Sequence, residues 1–200
     1  MDNKQLLKDS IAEHMKRLYD RGLTTLLGGN ISCRIDGGML ISPSSIDKHL
    51  LTSEDIIEMD LDGVILDGKH KPSIEHRMHS NIYKSCIEVN AIVHAHSFYA
   101  TLFSIIDKEI NVNLTAESAK SIGVIGIAPY APEGTKELAD EVAEKAKSHN
   151  VVLLKNHGVI ALGKDLLQAF YRLEVAEQTA KLTYHLLEHP FTTINDMKLR

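Results

Sequence analysis

Ala91-Ile92-Val93-His94-Ala95-His96 is the stretch on which the fold turns. An apolar run closing in His-x-His reads as a buried strand. Side chains alternate faces along a strand with period two, so His94 and His96 point the same way. Far downstream, His157 stands in a turn between two further hydrophobic runs, 151–154 and 159–162. Three neutral imidazoles around a divalent ion leave a coordination position open, as catalytic zinc requires. The plain alternative is a pair of ordinary strand-end histidines, and the neighbouring motifs decide between them.

Pro72-Ser73-Ile74-Glu75 is the first such neighbour. Ser73 is a good N-cap for a helix that carries Ile74, Met78 and Ile82 on one side. Glu75 then sits in the first turn. There it either complements the helix dipole, worth a few tenths to ~1 kcal/mol, or completes the histidine site as a fourth ligand. A carboxylate able to leave a metal and take a proton from carbon suits C–C bond chemistry beside a carbonyl. Gly28-Gly29-Asn30-Ile31-Ser32 is a loop where glycines admit positive φ or a close approach. It is a weak phosphate signal alone. Ser42-Pro43-Ser44-Ser45 adds hydroxyls, and Ser73 at a helix start adds an anion-friendly position.

The remaining chain gives the frame. Leu7, Ile11, Met15 and Leu18 recur at helical spacing, predicting a helix over roughly the first twenty residues that Gly22 ends. Runs at 31–35 and 39–42 flank Asp36-Gly37-Gly38, and runs at 56–59 and 64–66 flank Asp60-Leu61-Asp62-Gly63; both read as hairpins. A short helix is predicted over 97–106, a strand over 123–128, and a helix over 135–147 with Leu138 and Val142 inward. Strands follow on either side of His157, then a long helix from Asp165 to about Glu188. Hairpins mixed with helices predict an α/β fold of three α/β/α layers around a mostly antiparallel or mixed sheet, as one domain over residues 1–200.

Composition sets bounds on partners. Hydrophobic residues make up 44% and charged ones 24%, as in an ordinary globular chain. A net charge of -5 argues against nucleic acid, whose binders carry a basic patch. No apolar stretch approaches the ~20 residues that span a bilayer. The N-terminus is polar and then amphipathic, with no secretory signal. Cys33 and Cys86 form no CxxC pair and no disulfide framework, which points to packing and to a cytoplasmic location.

Taken in order, Gly28-Gly29-Asn30-Ile31-Ser32, Ile41-Ser42-Pro43-Ser44, Pro72-Ser73-Ile74-Glu75, Val93-His94-Ala95-His96, Ala128-Pro129-Tyr130 and the run 155–161 resemble the class II aldolase/adducin family. The resemblance extends from the first helix to about Leu187. It implies a metal-dependent aldehyde-lyase that cleaves a phosphorylated ketose through an enediolate. It makes His94, His96 and His157 ligands of Zn2+ or another divalent first-row ion, with Glu75 as the metal-associated acid/base. Asn30, Ser44, Ser45 and Ser73, with the Gly29 backbone, become the phosphate pocket. A homotetramer with active sites at subunit interfaces is also implied, with a small phosphorylated sugar as the partner molecule.

Other family activities use the same metal-held enolate: epimerising a pentulose 5-phosphate, dehydrating a methylthio-sugar phosphate, or decarboxylating a phosphorylated 3-oxo acid. The epimerases normally carry Asp at the position of Glu75. Adducin-type scaffolds lack the metal residues, all of which this chain keeps. Two positions depart from the aldolase pattern. Ile74 replaces a second serine of the phosphate pocket, and Thr115 replaces a tyrosine that acts as proton donor from a neighbouring subunit. Glu117 and Tyr130 are the replacements considered for it.

Other residues carry plainer expectations. His79 lies one turn after Glu75 and either supports a ligand or sits in the core. His70 and His76 are expected to face solvent, and His14, His49, His149, His185 and His189 to lie at the surface. Glu133, Lys136 and Asp140 read as a solvated stretch, as do Glu174, Glu177 and Lys181 on the last helix.

Overall fold

Central strands buried on both faces, with side chains alternating between two apolar clusters, split this molecule into layers. The computed structural model describes residues 3–106 and 108–197. Met1 and Asp2, where the polar N-terminus and the first-helix expectation begin, lie outside the described residues. In chain order the elements are α1 (Asn3–Asp20), β1 (Asn30–Ile35), β2 (Gly38–Ile41), β3 (Ile57–Asp60), β4 (Ile65–Asp67), α2 (His76–Ser85) and β5 (Ala91–Ala95). There follow α3 (Phe98–Ile105), α4 (Ala116–Ser121), β6 (Gly126–Ala128), α5 (Lys136–Ala146), β7 (Val151–Leu154), β8 (Gly158–Gly163) and α6 (Leu166–Leu186).

The strands form one eight-stranded sheet in the order β4-β3-β2-β1-β5-β8-β7-β6. Among the described residues only β6 and β7 pair in parallel, so the sheet is mixed and mostly antiparallel, as the sequence predicted. On β5, Ala91, Val93 and Ala95 face one apolar cluster that includes Ile11, Met15 and Leu18 of α1, Phe103 of α3, and Phe170 and Leu173 of α6. Ile92 faces the other cluster, built with Met78 and Ile82 of α2 and Leu138 and Val142 of α5. Period-two alternation puts His94 on this second face, towards α2.

Local chemistry fixes the boundaries. Gly22 at φ 66 closes α1 with the two bonds of a Schellman cap, Leu23 N–H to Leu18 O at 2.9 Å and Gly22 N–H to Tyr19 O at 2.9 Å. Thr135 caps α5 by accepting from Leu138 N. Asp165 caps α6 by accepting from Gln168 N at 2.8 Å.

Several expectations need correction. Helix α2 begins at His76, with Glu75 in the N-cap position at φ -92 and ψ 11. Ser73 therefore shapes the preceding turn, where its Oγ accepts from Glu75 N at 3.3 Å, and Ile74 is exposed rather than inward. The strand expected over 123–128 is formed only from Gly126. His14 is buried edge-on against Phe170, and its Nδ1–H donates to Ser10 O at 2.8 Å. His76 is half-buried rather than solvent-facing, with a buried Nδ1 that has no hydrogen-bond partner. Glu177 is buried too. Its two carboxylate oxygens accept from Tyr99 N at 2.9 Å and Ala100 N at 2.8 Å, which caps the start of α3.

Candidate active site

Antiparallel pairing brings the site residues to one end of the sheet. Asn30 on β1 is directly opposite His94 on β5, and His94 is opposite Ile160 on β8. His96 follows β5 by one residue. His157 stands in the short turn between β7 and β8, just before Gly158 pairs with Leu154. That turn needs a left-handed residue, supplied by Asn156 at φ 56. The Asn156 N–H also donates to Ser104 O of α3 at 3.2 Å, which fixes where His157 points. Gly158 lets β8 pass close behind the imidazoles. A Cβ there would lie 2.6 Å from Ala95 O and 3.0 Å from His96 Cδ2.

Three imidazole rings meet with centroids 5.0, 5.0 and 5.1 Å apart. One ring nitrogen from each of His94, His96 and His157 lies within 4.8 Å of the others. Glu75 joins them from the α2 side, with Oε2 at 3.1 Å from His94 Nε2 and Oε1 at 3.3 Å from His157 Nε2. His94 Nδ1–H donates to Val159 O at 3.0 Å. A carbonyl can only accept, so this bond places a proton on Nδ1 and aims Nε2 at Glu75 and His96.

The electrostatics match. Burial, with the charges of His94 and His157 added, pushes His96 down to about 3. Burial and His94 push His157 down to about 4. Both rings are neutral near pH 7 and can act as ligands. Burial alone would raise the Glu75 pKa. The adjacent His94, by charge and by hydrogen bond, then His157 and the Asn30 amide, outweigh it and hold the carboxyl well below the usual carboxylate range. Asn30 Nδ2–H donates to Glu75 Oε2 at 2.9 Å and orients the carboxylate.

A divalent cation fits these donors. His94 Nε2 and His96 Nε2 are 3.1 Å apart. Ligand nitrogens at ~2.05 Å from a tetrahedral ion would be separated by about 3.3 Å. His157 Nε2 and Glu75 Oε1 are buried without a hydrogen-bond partner, as atoms reserved for a ligand would be. Both cysteines are buried elsewhere, and burial pushes the Cys33 thiol up to about 12, so neither offers a thiolate.

Beside the imidazoles opens a pocket of ≈ 300 Å³. Gly29, Asn30, Ser44, Ser45 and Ser73, all expected as phosphate groups, line it together with Glu75 and His96. Gly29 adopts φ 69, and a Cβ on it would come 2.8 Å from His94 O. Ile74 also lines the pocket, so the position of the missing hydroxyl is apolar. Two charged lining groups were not anticipated. Lys48 carries no motif around it, and Glu133 reads from sequence as part of a solvated stretch. Thr115, Glu117 and Tyr130 do not line this pocket. Thr115 caps α4 by accepting from Ser118 N at 3.1 Å, Glu117 accepts from Tyr171 OH at 3.0 Å, and Tyr130 is exposed. His79 is fully buried and shares a 2.7 Å hydrogen bond with Ser32 Oγ, so it is a core residue rather than a hydrogen-bonding support for one of the expected ligands. A larger cavity of ≈ 510 Å³, lined by Ile110, Val124, Ile127 and Phe191 among others, holds none of these site residues.

Comparison with known proteins supplies the family. Residues 9–184 match the family described as Class II Aldolase and Adducin N-terminal domain. L-fuculose phosphate aldolase of Methanocaldococcus jannaschii is 40% identical over 183 residues, covering 92% of this chain and 96% of that protein. The 3-oxo-tetronate 4-phosphate decarboxylase of Haemophilus influenzae is 32% identical, covering 96% and 94%. Among solved structures, YgbL of Escherichia coli, described as a putative aldolase/epimerase/decarboxylase, superposes with a TM-score of 0.90. It is 28% identical, with 98% of each chain covered. Matched over most of its length, the chain belongs to the class II aldolase and adducin family.

Proposed function

We propose that this aldolase-type lyase cleaves a ketose 1-phosphate between C3 and C4, with L-fuculose 1-phosphate giving dihydroxyacetone phosphate and L-lactaldehyde as the specific reaction. The observation that carries the reading is the convergence of His94, His96, His157 and Glu75 at one end of a pocket lined by phosphate-binding groups. The name of the 40%-identical archaeal relative supports the substrate. Class II aldolases are metal-dependent. His94, His96 and His157 are the residues that would hold the ion, and we assign it as Zn2+, with other first-row divalent ions accepted by the same donors. When bound, the cation supplies a Lewis acid that polarises the C2 carbonyl and spreads the negative charge left on bond cleavage.

The rest falls to the chain. Asn30, Ser44, Ser45, Ser73 and the Gly29 backbone anchor the phosphate, so binding energy remote from the reacting bond orients C3 and C4. The C4 hydroxyl passes its proton to the ionised Glu75 carboxylate as the aldehyde departs, and the C3–C4 electron pair remains on C3 as an enediolate. Glu75 then delivers a proton to C3. In synthesis its ionised carboxylate removes that proton, oriented by the Asn30 amide.

Charge favours aldolase over decarboxylase chemistry. A phosphorylated 3-oxo acid brings a third carboxylate into the pocket, where Glu75 and Glu133 already stand and Lys48 is the one lysine or arginine among the lining residues. Glu75 in place of Asp disfavours the epimerase. The homotetramer is part of the same proposal, and the exposed Val124, Ile127 and Phe191 around the large cavity support association between copies.

The test is release of dihydroxyacetone phosphate from L-fuculose 1-phosphate by purified protein, within a panel of sugar phosphates. Activity should vanish with chelator and in Glu75→Gln. Chelator-resistant turnover, or full activity in that variant, would reject the mechanism. A dehydration or decarboxylation product would reassign the reaction while leaving the site in place.

A further inference from the structure

Lysine is almost never fully buried unless paired. Lys48 is only 1% exposed, yet it enters no ion pair among the described residues. Its ammonium has three N–H groups, and one of them donates to Pro43 O at 2.7 Å. The loop after β2 holds it there, through Ser45 at φ 57 and Lys48 N–H donating to Leu26 O at 3.0 Å. The side chain lines the same pocket as Gly29, Asn30, Ser44, Ser45 and Ser73. Against it in that lining stand two carboxylates, Glu75 and Glu133. Burial holds its pKa down to about 8, so the amine is still mostly protonated at neutral pH. A buried cation with spare donors and no counter-ion is a costly thing for a fold to keep. A dianion entering the pocket would relieve that cost.

We propose that Lys48 is the cationic floor of the phosphate pocket, donating to the substrate's phosphate and setting the enzyme's preference for phosphorylated ketoses. The proposal rests on the sugar-phosphate reading above. It accounts for a pocket that keeps a phosphate despite an apolar Ile74 where a hydroxyl would help. Lys48 is a binding residue here and takes no part in proton transfer to carbon. The competing role is a purely structural tether for the Pro43 carbonyl.

Two substitutions in the metal-loaded protein separate these roles. Lys48→Gln keeps a hydrogen-bond donor for Pro43 O and removes the charge. Lys48→Met removes both and fills the space with apolar atoms. Inorganic phosphate is the probe, measured as a competitive inhibitor and by calorimetry. Both variants should weaken phosphate at least tenfold and raise KM for the ketose phosphate more than they lower kcat. Lys48→Met should also raise Tm, because it deletes an unpaired buried charge. Phosphate affinity within twofold of the parent in Lys48→Gln, or a Lys48→Met that unfolds or loses Tm with unchanged affinity, would overturn the proposal in favour of the tether. If the parent protein neither binds phosphate nor turns over ketose phosphates, the functional reading fails instead, and the two failures are distinct.

Discussion

Glu177→Gln is the substitution whose consequence the structure specifies most closely. Glu177 is 8% exposed, and its two oxygens take the backbone N–H groups of Tyr99 and Ala100. Those are N–H groups that α3 leaves without helical acceptors. Glutamine offers one carbonyl for two donors and turns an NH2 group towards the other. Losing one charge-assisted bond in a buried setting costs about 1.5–3 kcal/mol. Losing the negative charge at the helix start adds roughly 0.3–1 kcal/mol. The sum is about 2–4 kcal/mol. With ~2–4 °C lost per kcal/mol in a domain of this size, Tm should fall by about 5–15 °C. Urea unfolding of metal-free protein, at fixed protein concentration, reads the change directly. Because α3 starts two residues after His96, metal affinity should fall as well. A stability change no larger than an ordinary surface substitution gives, about 0.5 kcal/mol, with unaltered metal binding, would show that this carboxylate neither caps α3 nor steadies the histidine behind it.

Two further outcomes follow from the same geometry. Gly158→Ala places a Cβ 2.6 Å from Ala95 O and must push β8 away from the imidazoles, so metal content should drop well below stoichiometric while far-UV circular dichroism stays close to the parent's; full occupancy would mean the strand yields without cost. The metal-free protein should lose stability in acid. His79 and His96 are pushed down to about 3 and His157 to about 4 by burial, whereas unfolded histidine titrates near ~6.5. Folded pKa values below the unfolded one mean the unfolded chain takes up protons first. Stability is therefore full above about pH 6.5 and declines as pH falls towards the folded values. Urea midpoints that stay flat from pH 7 to pH 5 would contradict this.

Much of the site was legible in the sequence because its signals are local. His-x-His on a strand, a histidine in a tight turn and a glycine pair before a strand each carry their own geometry. Glu75 was legible as a neighbour of the histidines but not for its place on the helix. Ser73 is a better N-cap by propensity, and the packing of Met78 and Ile82 sets the helix start two residues later. What escaped depends on contacts distant in sequence. Glu177 sits in a charged helical pattern that looks solvated, until α3 lays its unsatisfied N–H groups across it. Lys48 shows no pattern around it, and only the closure of the 42–50 loop over Leu26 O buries it. His14 reads from sequence as a surface residue, and Phe170 on α6, near the other end of the chain, makes it part of the core.

The central claim is that three imidazoles and one carboxylate share a single cation. Zinc-edge X-ray absorption on stoichiometrically reconstituted protein tests it most directly. The account predicts an all-light-atom shell at ~2.0–2.2 Å with imidazole scattering, weakened in His96→Ala and in His157→Ala. A sulfur shell near ~2.3 Å, or a spectrum indifferent to both substitutions, would contradict it.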